Sequence, residues 1–260
     1  MRDVYIIGVG MTAFGKFLDT GMKQLAREAV VNALEDAGVT TDELGLAAVG
    51  NSGWGAYAGQ LAIRGQVVLR PLGIGGIPVI NVENACACAS TALHNAWLYV
   101  ASGLSELALA VGMEKLYHPD KARVMQSFIG GTDVEESMKM IAEALQSGEN
   151  PHTIFMDIYA REARRHMEKY GTTQRQLAAI SSKNHNHSTL NPKAQFGARI
   201  SDIMAQKKDR AAQKGRPVPI WENEFEFLSD DAANPIIAWP MRLFDCSPIS
   251  DGASALLLVA

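Results

Sequence analysis

The 260-residue sequence is short of several things. It has three cysteines, an odd number with no framework spacing, which excludes a disulfide-built secreted scaffold and predicts a reduced, cytoplasmic setting. It has no excess of basic residues. Its 24 Lys and Arg stand against 28 Asp and Glu, a net charge of −4, so nothing marks a nucleic-acid-binding surface. No apolar run approaches the ~20 residues that a membrane-spanning helix needs. Met1-Arg2-Asp3 leads straight into the strand-like Val4-Tyr5-Ile6-Ile7, so no leader segment is expected. What is present is a globular composition, 47% hydrophobic and 20% charged, which excludes a disordered chain.

Periodicity orders the chain. Residues 4–9 read as a buried strand closed by Gly8 and Gly10. Leu25, Ala29, Ala33 and Ala37 recur at helical spacing over 22–37, and Gly38 supplies the stop. Strands follow at 46–50 and 78–82, a helix at about 86–102 ending at Gly103, and a strand at 106–111 stopped by Gly112. Strands alternating with helices predict a layered α/β fold with much parallel pairing. From 116 to 236 the texture is more charged. Helices are expected near 155–169 and over 174–187, the second opened by a capping box of Thr173 and Gln176. The run 207–217 reads as a solvated loop. The predicted domains are therefore a core over 1–115, an inserted, mainly helical loop domain over 116–236, and a return to the core over 237–260. Within the return, residues 250–253 read as a turn and 255–260 as a buried strand. A chain that stops on a buried strand suggests a fragment, with a C-terminal half absent.

Three groups of residues invite chemistry. Gly8-Val9-Gly10 with Gly15 suggests a dinucleotide-binding turn, but the third glycine comes one step late and the helix begins only near 22. An ordinary strand-end loop is the plainer reading. Cys86 follows a strand-like run and precedes a helix-forming run of small residues, Ala87, Ala89, Ser90 and Ala92. A thiol at a helix N-terminus is favoured as thiolate, which suits a nucleophile. A packed core cysteine is the alternative, and position alone leaves both open. Cys86 and Cys88, or His185 and His187, alternate as metal ligands might. However, no second pair lies at a useful offset, and side chains two apart on a helix do not face each other, so no metal site is expected.

The segment Asn84-Ala85-Cys86-Ala87-Cys88-Ala89-Ser90-Thr91-Ala92-Leu93 resembles the nucleophile segment of the thiolase superfamily, closest to its sterol-carrier-protein-x and lipid-transfer-type subgroup. Four further segments are similar in order: 4–15, 110–115, the loop-domain stretches 170–173, 183–185 and 191–196, and 245–253. The resemblance implies one half of a layered α/β/α sandwich with an inserted loop domain. It places Cys86 at the nucleophile and Ser247 against the pantetheine of coenzyme A, which acts as co-substrate with no permanently bound cofactor. The sequence departs from the family pattern after the nucleophile, where Cys88 and Ala89 take the places usually held by serine or threonine and glycine. A long charged stretch at 205–235 is a second departure. The family's activating histidine and second, acid/base cysteine belong to the other half of the fold. No histidine here fills that role, and His94 reads as a packed or interface residue.

The implied activity is thiolysis of a 3-ketoacyl-CoA through an acyl-cysteine, on a branched or aromatic substrate such as benzoylsuccinyl-CoA. The implied assembly is a homodimer with an acyl-CoA substrate and a small OB-fold, zinc-binding partner of the DUF35 type. Two other readings stand beside it: a retro-aldolase of the same fold acting on a steroid side-chain CoA ester, and a non-catalytic acyl-CoA-binding scaffold.

Overall fold

A computed structural model describes residues 1–146 and 154–260. These form two compact units, one of residues 1–134 with 249–260 and the other of residues 135–248.

The first unit is a mixed five-stranded sheet between helices. Its strands are β1 (Tyr5–Met11), β2 (Leu46–Gly50), β3 (Val79–Val82), β4 (Leu107–Glu114) and, from the end of the chain, β7 (Gly252–Val259). Their order is β1-β7-β4-β2-β3. β2 runs parallel to β3 and β4, whereas β7 is antiparallel to both β1 and β4. The expected parallel pairing thus holds in the β4-β2-β3 half alone. Helix α1 (Met22–Ala37) packs one face of the sheet with Leu25, Val30, Val49, Leu109, Val111 and Leu257. The other face carries Leu46, Ala48, Ala108, Ala110 and Leu258 under α4 (Cys88–Ala101). All five β2 residues are buried because both faces are covered. Short helices α2 (Trp54–Ala58), α3 (Arg64–Leu69) and α5 (Lys121–Ile129) complete the unit.

Glycines set the spacing of these layers. β1 is not the buried strand its apolar run suggests, because it lies at the edge of the sheet and leaves Tyr5, Ile6, Ile7 and Val9 exposed. Gly8 and Gly10 lie inside it rather than in a strand-end loop, and they form no nucleotide-binding turn. A Cβ on Gly10 would sit 2.0 Å from the Ala29 carbonyl oxygen, and one on Gly8 2.4 Å from that of Ala33. The pair exists so that α1 can lie directly on the strand. Gly112 likewise does not stop β4, which runs on to Glu114. A Cβ there would meet the Ala89 Cβ at 2.4 Å. A turn at 250–253 is also not what forms, since β7 begins at Gly252. Asp251 beside it is fully buried. Its carboxylate accepts from the Leu116 and Tyr117 N–H groups at 2.8 Å and from Phe17 N–H at 3.0 Å, and pairs with Lys115 at 3.2 Å.

The second unit is helical. It contains α6 (Val134–Gln146, whose first residue belongs to the first unit), α7 (Ile154–Tyr170), α8 (Gln174–Ser188), α9 (Ile200–Gln213) and α10 (Glu224–Ser229). A hairpin of β5 (Ile236–Ala238) and β6 (Met241–Arg242) packs against α7. The capping box that opens α8 is formed, with Gln176 Oε1 accepting from Thr173 N–H at 2.7 Å. The run 207–217 is not a loop, because α9 continues through it to Gln213. Ile200, Ile203, Met204 and Ala211 keep helical spacing beneath its charges. Lys207 and Lys208 turn inward to donate to the Ala233 and Trp221 carbonyls at 2.8 and 2.6 Å. The unit's core gathers Ile200, Trp221, Phe227, Leu228 and Ala233.

Candidate active site

The candidate site lies in the first unit, at the carboxyl ends of its parallel strands. That is where open α/β sheets place their ligands. After β3 the chain makes a 3₁₀ turn, Ala85–Ala87, and enters α4 at Cys88. The helix proper thus starts two residues later than its sequence suggests, and Cys86 stands in the turn just before it. Cys86 is exposed, whereas Cys88 is 5% exposed. The Cys88 sulfur accepts from Asn84 N–H at 3.1 Å, and burial pushes its thiol pKa up. Cys88 is therefore enclosed within its unit. The two sulfurs do not form an equivalent exposed pair.

The turn is held from below by close packing. A Cβ on Gly50 would lie 2.4 Å from the Cys88 carbonyl oxygen, so the start of α4 rests on the backbone of β2. Small residues after Cys86 permit this approach, as the sequence predicts. α4 buries Cys88, Ala92, Ala96 and Val100 on one face, while Ala87, Ser90 and His94 are exposed. His94 stacks on Trp97 with ring centroids 5.8 Å apart.

Around the turn runs a polar network that the sequence does not announce. Glu83, the residue after β3, accepts from Ala85 N–H at 2.7 Å and from the Ser52 hydroxyl at 3.0 Å. Glu114, at the end of β4, accepts from Ser52 N–H and from Gly53 N–H, the latter at 3.1 Å. Burial raises the Glu114 pKa above its ordinary value, against the lowering effect of those two N–H bonds. Arg64 donates to the Asn51 backbone and side-chain oxygens and to the Ser52 carbonyl, and Asn51 in turn donates to the Met113 carbonyl at 2.9 Å. A cavity of about 90 Å³ opens beside it, lined in part by Ile63, Arg64, Asn81 and Glu83. Among the described residues, the non-glycine residues with positive φ are Ile63 (50°) and Ala85 (44°), and both belong to this site. Such strain collects at functional sites. The one signal that could have pointed to Glu83 and Glu114 is that each sits at the carboxyl end of a parallel strand.

Ser247 belongs to the second unit, in the exposed segment after the turn Leu243–Asp245. Cys86 and Ser247 are thus carried by different units. In the second unit His185 Nδ1 lies 3.2 Å from the Ala198 carbonyl, and its ring stacks on Phe196, while His187 is exposed. Among the described residues no group of three or more His, Cys, Asp or Glu is arranged to hold a metal ion. Nor is any helix there long and apolar enough to cross a membrane.

The first unit is thus a three-layer α/β unit that presents an exposed cysteine at a strand-to-helix turn. Residues 4–260 match the family model for the thiolase N-terminal domain, and the chain belongs to that family. It is 35% identical to an acetyl-CoA acetyltransferase of Methanothermobacter thermautotrophicus, over 99% of this chain and 57% of that protein. It is 32% identical to sterol carrier protein 2 of Gallus gallus, over 100% of this chain and 41% of that protein. The chain thus spans about half the length of the curated relatives it matches. Its fold is similar to that of the Ltp2-ChsH2(DUF35) aldolase, with a TM-score of 0.63 at 23% identity over 98% of this chain and 55% of that one. An acetyl-CoA acetyltransferase from Syntrophomonas wolfei gives a TM-score of 0.62 at 18% identity, over 99% of this chain and 64% of that one.

Proposed function

We propose that this chain carries the nucleophile of a thiolase-type acyltransferase, with Cys86 in that role. The Cys86 thiolate adds to the C3 carbonyl of a 3-ketoacyl-CoA. The C2–C3 bond then breaks, leaving a thioester on sulfur and an enolate of the departing acyl-CoA, which takes up a proton. The thiol of free CoA attacks the thioester, releases the shortened acyl-CoA and restores Cys86. The observation that carries this reading is the contrast within one turn, where Cys86 is exposed and Cys88 is buried. Membership of the thiolase family and relatives named acetyl-CoA acetyltransferase support it. The reading includes CoA as co-substrate with no resident cofactor, the Ser247 hydroxyl against its pantetheine, a homodimer, and a cytoplasmic setting suited to three free thiols. It extends to a branched or aromatic acyl group, benzoylsuccinyl-CoA being the example, and to a DUF35-type partner like that named in the aldolase similar in fold.

The test is acyl labelling of the full-length protein with a 3-ketoacyl-CoA, read by peptide mass spectrometry. The expected result is one acyl group on Cys86, and its loss together with thiolysis in Cys86→Ala while the fold persists. Retained thiolysis in that variant would remove Cys86 from the mechanism. Cleavage of a steroid side-chain CoA ester without any acyl-cysteine would favour the retro-aldolase. Binding of acyl-CoA without turnover would favour the scaffold.

A further inference from the structure

We propose that Glu83 is a positioning residue for Cys86, its carboxylate holding the 85–88 turn in the form that presents the thiol. The proposal rests on the reading of Cys86 as the acyl acceptor and names a group that acts through the turn without touching substrate.

Three donors converge on a single oxygen of Glu83. Oε1 accepts from Ala85 N–H at 2.7 Å and from the Ser52 hydroxyl at 3.0 Å, and the Cys88 thiol lies 4.0 Å away. A side-chain carbonyl-type oxygen suits that position, since its lone pairs can serve more than one donor. Ala85, the residue directly before Cys86, has φ of 44°, a conformation that glycine or asparagine tolerates but alanine disfavours. Its own residue type therefore does not keep it there, and an external contact must. Asn84 and Ala87 are bonded within the turn and to α4. Asn84 N–H goes to the Cys88 sulfur, the Asn84 carbonyl accepts from Ala87 N–H at 2.8 Å, and the Asn84 side chain donates to Thr91 at 2.9 Å. The Glu83 bond to Ala85 N–H is thus the contact that ties the strained residue to something outside the turn.

What lies behind Glu83 is rigid. Ser52 is fixed by its own N–H on Glu114, and its carbonyl accepts from Arg64. Glu83, Ser52 and Glu114 follow or end the three parallel strands β3, β2 and β4, so the turn is referred to the sheet through one hydrogen-bonded path. Reaction geometry is sensitive to such mounting, because a misplacement of about 1 Å can cost on the order of 10²-fold in rate.

The experiment compares full-length wild type, Glu83→Ala, Glu83→Gln and Ser52→Ala. It measures steady-state thiolysis, the rate of acyl transfer to Cys86, and hydrogen exchange of the Ala85 amide. Glu83 is exposed as a residue, so the variants are expected to fold. For Glu83→Ala the expected result is a fall in kcat and in Cys86 acylation of about tenfold or more, with KM within about twofold. Exchange at Ala85 should quicken by a similar factor. Glu83→Gln keeps an acceptor oxygen and should recover most of both, and Ser52→Ala should fall between. Unchanged kcat in Glu83→Ala overturns the proposal, as does unchanged exchange at Ala85. Equal loss in Glu83→Gln and Glu83→Ala also overturns it, because charge and not the held geometry would then be the cause. If wild type never acylates Cys86, the thiolase reading fails by itself, and Ala85 exchange alone decides whether Glu83 holds the turn.

Discussion

The two units of this chain solve the packing problem in opposite ways. In the α/β unit, backbone meets backbone. α1 lies on β1 across Gly8 and Gly10, and the start of α4 lies on β2 and β4 across Gly50 and Gly112. In the helical unit, long side chains reach across the gaps. Lys207 and Lys208 span to carbonyls, Arg242 pairs with Asp231 at 2.7 Å, and the Trp221 indole donates to Asp230 at 2.8 Å. Close backbone contact leaves few adjustable elements beneath the turn that carries Cys86. Contacts made by flexible cations can shift, which suits a segment whose charged stretch the thiolase pattern does not require.

That contrast can be broken by substitution. Gly10→Val should be the most damaging change, because its Cβ falls 2.0 Å from a helix carbonyl and neither layer can retreat. A loss of at least about 3 kcal/mol is expected, beyond the usual range for overpacking, read as a drop in the denaturant midpoint. Lys207→Met, in the other unit, removes one charged hydrogen bond and a cation lying 5.3 Å over the Phe227 ring. It should cost only about 1–2 kcal/mol, because methionine keeps the apolar stem. If the two losses prove equal, the contrast between the units is wrong. Glu114→Gln probes the polar network at the site. Burial raises the Glu114 pKa in the folded state, so the folded protein holds this proton to higher pH than the unfolded chain does. Its contribution to stability is therefore greatest below the ordinary value of 4.5 and declines as pH rises through the raised value. Thermal melts across that range should show this decline in wild type and a flatter profile in Glu114→Gln. Cys88→Ser should be the mildest change. The hydroxyl can accept from Asn84 N–H as the sulfur does, and about 1 kcal/mol or less is expected.

The sequence made legible whatever depends on short-range period. α1 and β2 form over the residues their apolar spacing marks, and the Thr173 box opens α8. The placement of Cys86 between a strand and a helix is legible for the same reason, since a strand, a turn and a small-residue helix are all local signals. The errors came where one signal hides another. Glycine was taken as a stop at 112 and as a loop at 8 and 10, because a glycine needed for interlayer contact looks the same in sequence as one needed for a turn. The charge over 207–217 reads as a loop, although the helix that opens with Ile200, Ile203 and Met204 runs on into it as far as Gln213. The joining of Ser52, Glu83 and Glu114 into one network is not legible in the sequence, although the places of the two carboxylates at strand ends are. Its members are 31 and 62 residues apart, and only strand register brings them together.

The interlayer glycines also constrain how this chain can drift. Every amino acid one nucleotide change away from a glycine codon carries a Cβ, so no single missense step at 50 or 112 leaves these contacts intact. The two positions nevertheless differ. At 112 the nearest atom is the Ala89 Cβ, so a prior Ala89→Gly would remove the worst obstruction to Gly112→Ala and leave the residue 89 Cα at 3.2 Å. At 50 the obstruction is the carbonyl of Cys88, which no side-chain change removes. Gly50, beneath the start of α4, therefore has no compensating partner, while Gly112, its register partner on the adjacent strand, has a partial one.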